Sequence, residues 1–153
     1  DVLGSRGLGD VYKRQIMDNC IFCKMVKGEI PCAKVYEDQD ILAFLDINPA
    51  SKGHTLVITK EHFANFTLVP KDLLGKAYAV AQKIAQAQIS QLGAEGANVI
   101  TNINEIAGQS VMHFHIHVIP RYKKDDGLQL NFVPNSIETF NLPAVASQIK
   151  LGL

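Results

Sequence analysis

Between residues 70 and 93 the apolar side chains recur with the period of an α-helix. Leu73, Ala77, Val80, Ala81, Ile84 and Ala85 fall on one face, Pro70 stands just ahead of them and Gly93 ends the pattern. Elsewhere the runs are shorter and β-prone. Residues 33–37 and 41–46 flank an acidic turn, Asp38-Gln39-Asp40, and predict a hairpin. Asn-Pro and Lys-Gly breakers in residues 48–53 lead into a third strand over 54–58, and residues 97–103 and 111–119 predict a fourth and a fifth. Asn19 can N-cap a short helix over 20–27 that Gly28 stops, with Pro31 beyond it; a last short helix is expected after Pro143. Strands grouped around one long helix, joined by connections too short for repeated parallel crossovers, predict an α+β domain with an antiparallel sheet.

The fifth run is the most informative. It reads His113-Phe114-His115-Ile116-His117, so three of the five histidines sit at period two in apolar surroundings. On a strand, alternate residues share a face and lie roughly 6.5–7 Å apart. One face then carries Val111, His113, His115, His117 and Ile119. The other carries Met112, Phe114, Ile116 and Val118 and is expected to be core. An imidazole is costly to bury unless it is hydrogen-bonded or ligating, so three on one face indicate function.

Two chemistries want such a row. A neutral imidazole can attack phosphorus and form an intermediate whose P–N bond water later cleaves. Alternatively, the three rings can chelate one metal, as in His₃ zinc sites. Gly108-Gln109-Ser110, just ahead of the run, can offer backbone N–H groups and a hydroxyl to phosphate oxygens, which favours the first.

Bulk properties narrow the context. At 153 residues one domain is expected. Zero net charge with 20% charged residues suggests neither a nucleic-acid partner nor an anionic membrane surface, and no apolar stretch approaches the ~20 residues of a membrane span. Cys20-x-x-Cys23 suits a metal or redox pair in a reducing cytoplasm, and Cys32 is left over as a structural residue. Residues 10–15, Asp-Val-Tyr-Lys-Arg-Gln, back-translate to a string resembling the transposase mosaic end of sequencing libraries. Residues 1–16 are therefore expected to be a non-native or disordered extension, with a single domain over 17–153.

The run from Gly108 to Ile119 resembles the signature of the histidine triad (HIT) family, in which histidines alternate with apolar residues. Upstream segments resemble successive blocks of its bacterial Hint-like branch: Asn19-Cys20-Ile21-Phe22-Cys23-Lys24, Phe44-Leu45-Asp46-Ile47, Lys52-Gly53-His54-Thr55-Leu56-Val57-Ile58 and Lys60-Glu61-His62. The resemblance implies the HIT fold, a five-stranded antiparallel sheet with one long helix and a short N-terminal helix. It also implies hydrolysis of purine nucleoside phosphoramidates or related adenylates through a nucleotidyl-histidine. By resemblance, His115 would attack the α-phosphorus, with His117 and His54 binding phosphate oxygens and relaying the leaving group's proton. Asn102, Gln109 and Ser110 would contact the phosphate, and Asp46 the ribose hydroxyls. The same resemblance implies a structural zinc on Cys20, Cys23, His62 and His113, and a homodimer. A metal-dependent phosphohydrolase built on the three triad histidines and a non-catalytic nucleotide-binding protein remain the alternatives.

Overall fold

In the computed structural model, residues 18–153 are described. The expected extension over residues 1–16 lies outside them. The chain runs α1 (Ile21–Val26), β1 (Lys34–Glu37), β2 (Ile41–Leu45), β3 (Thr55–Thr59), α2 (Lys71–Leu92), β4 (Gly96–Ile100), β5 (His115–Arg121) and α3 (Leu142–Lys150), with 3₁₀ turns at Phe66–Leu68 and Glu105–Ala107. The strands form one antiparallel sheet in the order β1-β2-β3-β5-β4, so β5 lies between β3 and β4. This is the expected α+β architecture.

Each sheet face has its own helix. Ile41, Ala43, Val57, Phe114, Ile116 and Val118 pack with Ala77, Val80, Ala81 and Ile84 of α2. Leu42, Phe44, Leu56 and Ile58 point the other way and pack with Cys20, Phe22 and Cys23 at the start of α1. Period-two alternation sends successive strand residues to opposite helices. The histidine side of β5 is therefore the α1 side.

Several boundaries differ from the sequence reading, each for a physical reason. Cys20 is the N-cap of α1 instead of Asn19, its sulfur accepting the Cys23 N–H at 3.4 Å. The fifth strand begins at His115 and extends to Arg121, because Phe114 donates its N–H to the Phe63 carbonyl (2.7 Å) and not to the sheet. Met112, expected in the core, is consequently 46% exposed. The fourth strand stops at Ile100, where Thr101 turns its hydroxyl to the His115 carbonyl (2.8 Å). Asn102 thus sits beyond the strand. Asn141 caps the last helix, and none of that helix's residues is buried.

α2 is tied to the site's backbone by one side chain. Gln88, 3% exposed, donates from Nε2 to the carbonyls of Gly53 and Val118, both at 3.0 Å. Its Oε1 is buried without a hydrogen-bond partner among the described residues.

Candidate active site

β5 presents His115 and His117 beneath α1. The His115 ring is 5% exposed, and its Nδ1 lies 2.7 Å from the carbonyl of His113. A carbonyl can only accept, so Nδ1 carries the hydrogen and a neutral ring leaves Nε2 with a bare lone pair. Burial holds the proton affinity of this ring below the ordinary imidazole value, against the opposing pull of that carbonyl and of Asp46. Phe22 packs edge-on against it, ring centroids 5.2 Å apart.

The second pair of rings is ordered by a backbone group. Ala50 donates its N–H to His54 Nδ1 at 3.0 Å, so that nitrogen is unprotonated and neutral His54 carries its hydrogen on Nε2. His54 Nε2 in turn lies 2.9 Å from His117 Nδ1. His117 therefore accepts at Nδ1 and keeps its own hydrogen on Nε2. Burial lowers the pKa of His54, opposed by Asp46. His117 falls to about 4 through burial first, then the neighbouring His115 and His54.

A cleft of about 180 Å³ opens over His115 and His117, with Asp46 and Ser110 at its rim and Ile21, Phe22, Phe44 and Leu56 in its walls. Asp46 works twice: Oδ1 accepts the Asn48 N–H at 2.9 Å, closing a turn, and Oδ2 lies 3.6 Å from His54 Nε2. Asn102 is not in this cleft. It lines a hollow on the far side of His54 and His117, together with Ala50 and Leu130, and donates to the Gly108 carbonyl at 3.4 Å. Gln109 is 2% exposed and its side chain is fully engaged, donating to the carbonyls of Ala64 (2.6 Å) and Val111 (3.0 Å) and accepting the Asn104 N–H (2.8 Å). The N–H groups of Gly108 and Gln109 are also used inside this loop, on Glu105 and Asn104. Of the Gly-Gln-Ser segment, Ser110 is the residue that reaches the cleft.

The first triad histidine belongs to a different cluster. His113 donates from Nε2 to the Thr59 carbonyl (2.8 Å), which leaves Nδ1 bare. That Nδ1 lies 3.3 Å from Cys20 Sγ, 3.5 Å from Cys23 Sγ and 3.1 Å from His62 Nδ1, and His62 Nδ1 is 3.3 Å from Cys23 Sγ. All four ligand atoms lie within 4.8 Å of one another. Around a tetrahedral zinc, bonds of about 2.3 Å to sulfur and about 2.05 Å to nitrogen place S and N ligands about 3.5 Å apart and two N ligands about 3.3 Å apart. The donor set fits that ion, and the Thr59 carbonyl supplies the outer hydrogen bond that metal-bound histidines commonly have. Burial and the neighbouring Cys20 push the Cys23 thiol up to about 12, so a thiolate here calls for a cation.

The three triad rings do not converge on one point, contrary to the chelating alternative. A second group of possible ligands, Asp46, His54 and His117, has its ligand atoms within 4.8 Å of one another. A metal there would need the lone pair of His54 Nε2, and the Ala50 N–H already occupies the one on Nδ1. A neutral ring has only one to give.

The groups that order the site and that the sequence could not identify are mostly backbone: the carbonyls of His113 and Thr59 and the N–H of Ala50. They leave no trace in residue identity. Phe22 could have been found, since it lies between two cysteines on a helix whose apolar face must meet the histidine strand.

The HIT domain model matches residues 27–124 of the chain. The protein named Protein hit of Bacillus subtilis is 50% identical over 110 residues, covering 72% of this chain and 76% of the relative. Adenosine 5'-monophosphoramidase hnt1 of Schizosaccharomyces pombe is 40% identical over 131 residues, covering 86% of this chain and 96% of the relative. Among solved structures, a HIT family protein from Bacillus anthracis superposes with a TM-score of 0.84 at 43% identity, covering 89% of this chain and 98% of that one. A zinc-bound histidine triad family protein from Mycobacterium smegmatis superposes at 0.68 with 37% identity, covering 90% and 99%.

Proposed function

This chain belongs to the histidine triad (HIT) family, and we propose that it is a hydrolase of purine nucleoside phosphoramidates or related adenylates that works through a nucleotidyl-His115 intermediate. The observation that carries this is the 2.7 Å bond from His115 Nδ1 to the His113 carbonyl, which prepares Nε2 as a nucleophile.

In the first step the Nε2 lone pair attacks the α-phosphorus, the P–Nε2 bond forms, and the bond to the leaving amine breaks. The ring becomes cationic, a form that the His113 carbonyl and nearby Asp46 both favour. His117 Nε2–H and the Ser110 hydroxyl donate to phosphate oxygens as charge develops there. The leaving nitrogen needs one proton. The His54–His117 pair delivers it, having taken it up with the substrate, whose negative charge raises the proton affinity of imidazoles beside it. In the second step water attacks phosphorus, the P–Nε2 bond breaks, and the nucleoside monophosphate leaves with His115 restored. The water's proton returns to the pair.

The apolar cleft walls suit a purine base, and Asp46, at the same rim, suits the ribose hydroxyls. Asn102 would act from the far side of the His54–His117 pair, and Gln109 by shaping the loop that presents Ser110. Cys20, Cys23, His62 and His113 would hold a structural zinc that ties α1 to the start of β5 and takes no part in the reaction. No helix among the described residues is long and apolar enough to cross a membrane. Reduced cysteines at such a zinc site suit the cytoplasm. The open edge of β4 and the exposed α3 suit a homodimer.

Intact mass spectrometry during turnover of an adenosine phosphoramidate tests the reading. An adduct of one nucleotidyl group in the native chain, absent in His115→Ala, is expected. Turnover retained in His115→Ala with no adduct under rapid quench would overturn it, and nucleotide binding without turnover would leave a binding protein.

A further inference from the structure

The hydrogen positions on His54 and His117 both descend from one backbone N–H, that of Ala50, and Ala50 is held by the loop that follows β5. Arg121, at the end of β5, makes an ion pair with Asp126 and donates to the Lys124 and Leu128 carbonyls at 3.2 Å. Asp126 also accepts the Tyr122 N–H at 2.9 Å. These bonds fold residues 122–128 back on themselves and lay Gly127 against Ala50. The fit leaves no room for a side chain, since a Cβ on Gly127 would fall 2.1 Å from the Ala50 oxygen and 2.9 Å from its carbonyl carbon. The same stretch as Ala50 is tied to β5 by Ser51, whose hydroxyl donates to the Pro120 carbonyl (2.6 Å), and to the residue just past β5 by the Tyr122 hydroxyl on the Lys52 carbonyl (2.6 Å).

We propose that Gly127 is a positioning residue: by lacking a side chain it lets the Ala50 peptide seat its N–H on His54 Nδ1, which places the ring hydrogens of both His54 and His117 on Nε2. With Nδ1 of His54 closed, a proton taken up by the pair goes to His117 Nδ1 as the His54 Nε2–H turns to Asp46 Oδ2, 3.6 Å away, and His117 gives its Nε2 proton to the leaving group. Opening that nitrogen lets the proton settle behind His54 or lets the ring adopt its other tautomer, and His117 then loses its donor. The hydrogen-bond part stands on geometry alone; the consequence for turnover rests on the hydrolase reading above.

The test uses the full chain labelled with ¹⁵N. Long-range ¹H–¹⁵N spectra of the imidazoles distinguish bare from protonated ring nitrogens. In the native protein both His54 and His117 should show a bare Nδ1 and a protonated Nε2. In Gly127→Ala the Ala50 amide should lose its protection from hydrogen exchange and His54 should become protonated or exchange-averaged at Nδ1. An amide-to-ester exchange at Ala50, made with lactic acid in place of alanine, removes the same N–H without adding an atom and leaves Gly127 in place; it should give the same change at His54, which covers the case in which the first variant fails to fold. A folded Gly127→Ala with unchanged His54 signals, or a native His54 protonated at Nδ1, overturns the proposal. Kinetically, Gly127→Ala should slow a nucleoside phosphoramidate by about tenfold, a part of the roughly 10²–10⁴-fold that general acid catalysis contributes. A nitrophenyl ester of the same nucleotide, whose leaving group departs without a proton, should change less than about twofold. Equal slowing of both substrates refutes the assignment. If the native protein turns over neither, the hydrolase reading fails while the spectra still decide the tautomer.

Discussion

Replacing Phe22 with alanine probes whether α1 braces the nucleophile. The ring is 4% exposed and touches three aromatic partners edge-on, with centroids 5.5 Å from Phe44, 5.8 Å from His113 and 5.2 Å from His115. Truncating a buried Phe to Ala costs about 3–5 kcal/mol, counting the cavity left behind. Here the vacated space adjoins the open cleft, which Phe22 itself lines. Water can enter, so the lower end of that range, about 3 kcal/mol, is expected. For a domain of this size each kcal/mol moves the melting temperature by about 2–4 °C, so a fall of about 6–12 °C should appear in thermal unfolding followed by circular dichroism. Turnover should fall as well, by about tenfold or more at a temperature where the variant is fully folded, because His115 gains freedom to leave its attacking geometry. Phe22→Leu keeps most of the volume and should lose only about 1 kcal/mol, the share belonging to the aromatic contacts. A variant Phe22→Ala that melts within about 2 °C of the native protein, or that melts early yet keeps full turnover when folded, would show that α1 does not brace the site.

Three other outcomes are expected. Attack on phosphorus needs His115 neutral, and burial lowers its pKa from the ordinary imidazole value. The acid limb of kcat/KM should therefore lie below the ordinary imidazole value of about 6.5, and a limb at or above it refutes this. His117 also links stability to pH: its folded pKa lies below the unfolded one, so the unfolded chain binds more protons between about 6.5 and 4. Its contribution is complete above about 6.5 and lost as pH falls through about 4, which urea midpoints measured across that window will register. Metal analysis should find about one zinc per chain in protein prepared without added metal, and none in Cys23→Ala or His62→Ala, with lowered melting temperatures. Gln109→Leu deletes three hydrogen bonds to backbone groups and should destabilise the fold by about 2–4 kcal/mol in urea titration; a loss under about 1 kcal/mol would mean the loop does not depend on it.

The fold was legible where periodicity carried it. The helical stripe from Leu73 to Ala85 and the alternation of Phe114, Ile116 and Val118 fixed which faces meet, because burying apolar surface leaves little choice once the period is known. The same pattern overextended the histidine strand to Val111. Spacing alone could not register that His113 is drawn toward Cys20, Cys23 and His62, or that Phe114 gives its N–H to Phe63. The candidate site's residue types were legible too, and the resemblance implied a division of labour among them, but the groups that hold each ring were not legible. His113, His115 and His117 look alike along the sequence and differ in what holds their ring nitrogens: the Thr59 carbonyl, the His113 carbonyl and His54. Gln109 shows the reverse case, a polar residue beside a phosphate-like motif whose hydrogen bonds all go to the protein's own backbone.

Gln88 acts as a ruler. Its amide spans the backbone just before His54 and the backbone just after His117, and it does so with two hydrogens from one nitrogen, so the two chain segments keep a separation set by a rigid planar group. Flipping the amide would turn its oxygen toward two carbonyls, which leaves a single orientation. Mutational drift along α2 is consequently divided. Exposed positions such as Lys83 and Gln91 are free to vary, whereas Gln88→Glu would set a carboxylate against two oxygens and pry the histidines apart from behind. The tolerance of the long helix to change ends at one residue that never touches the cleft.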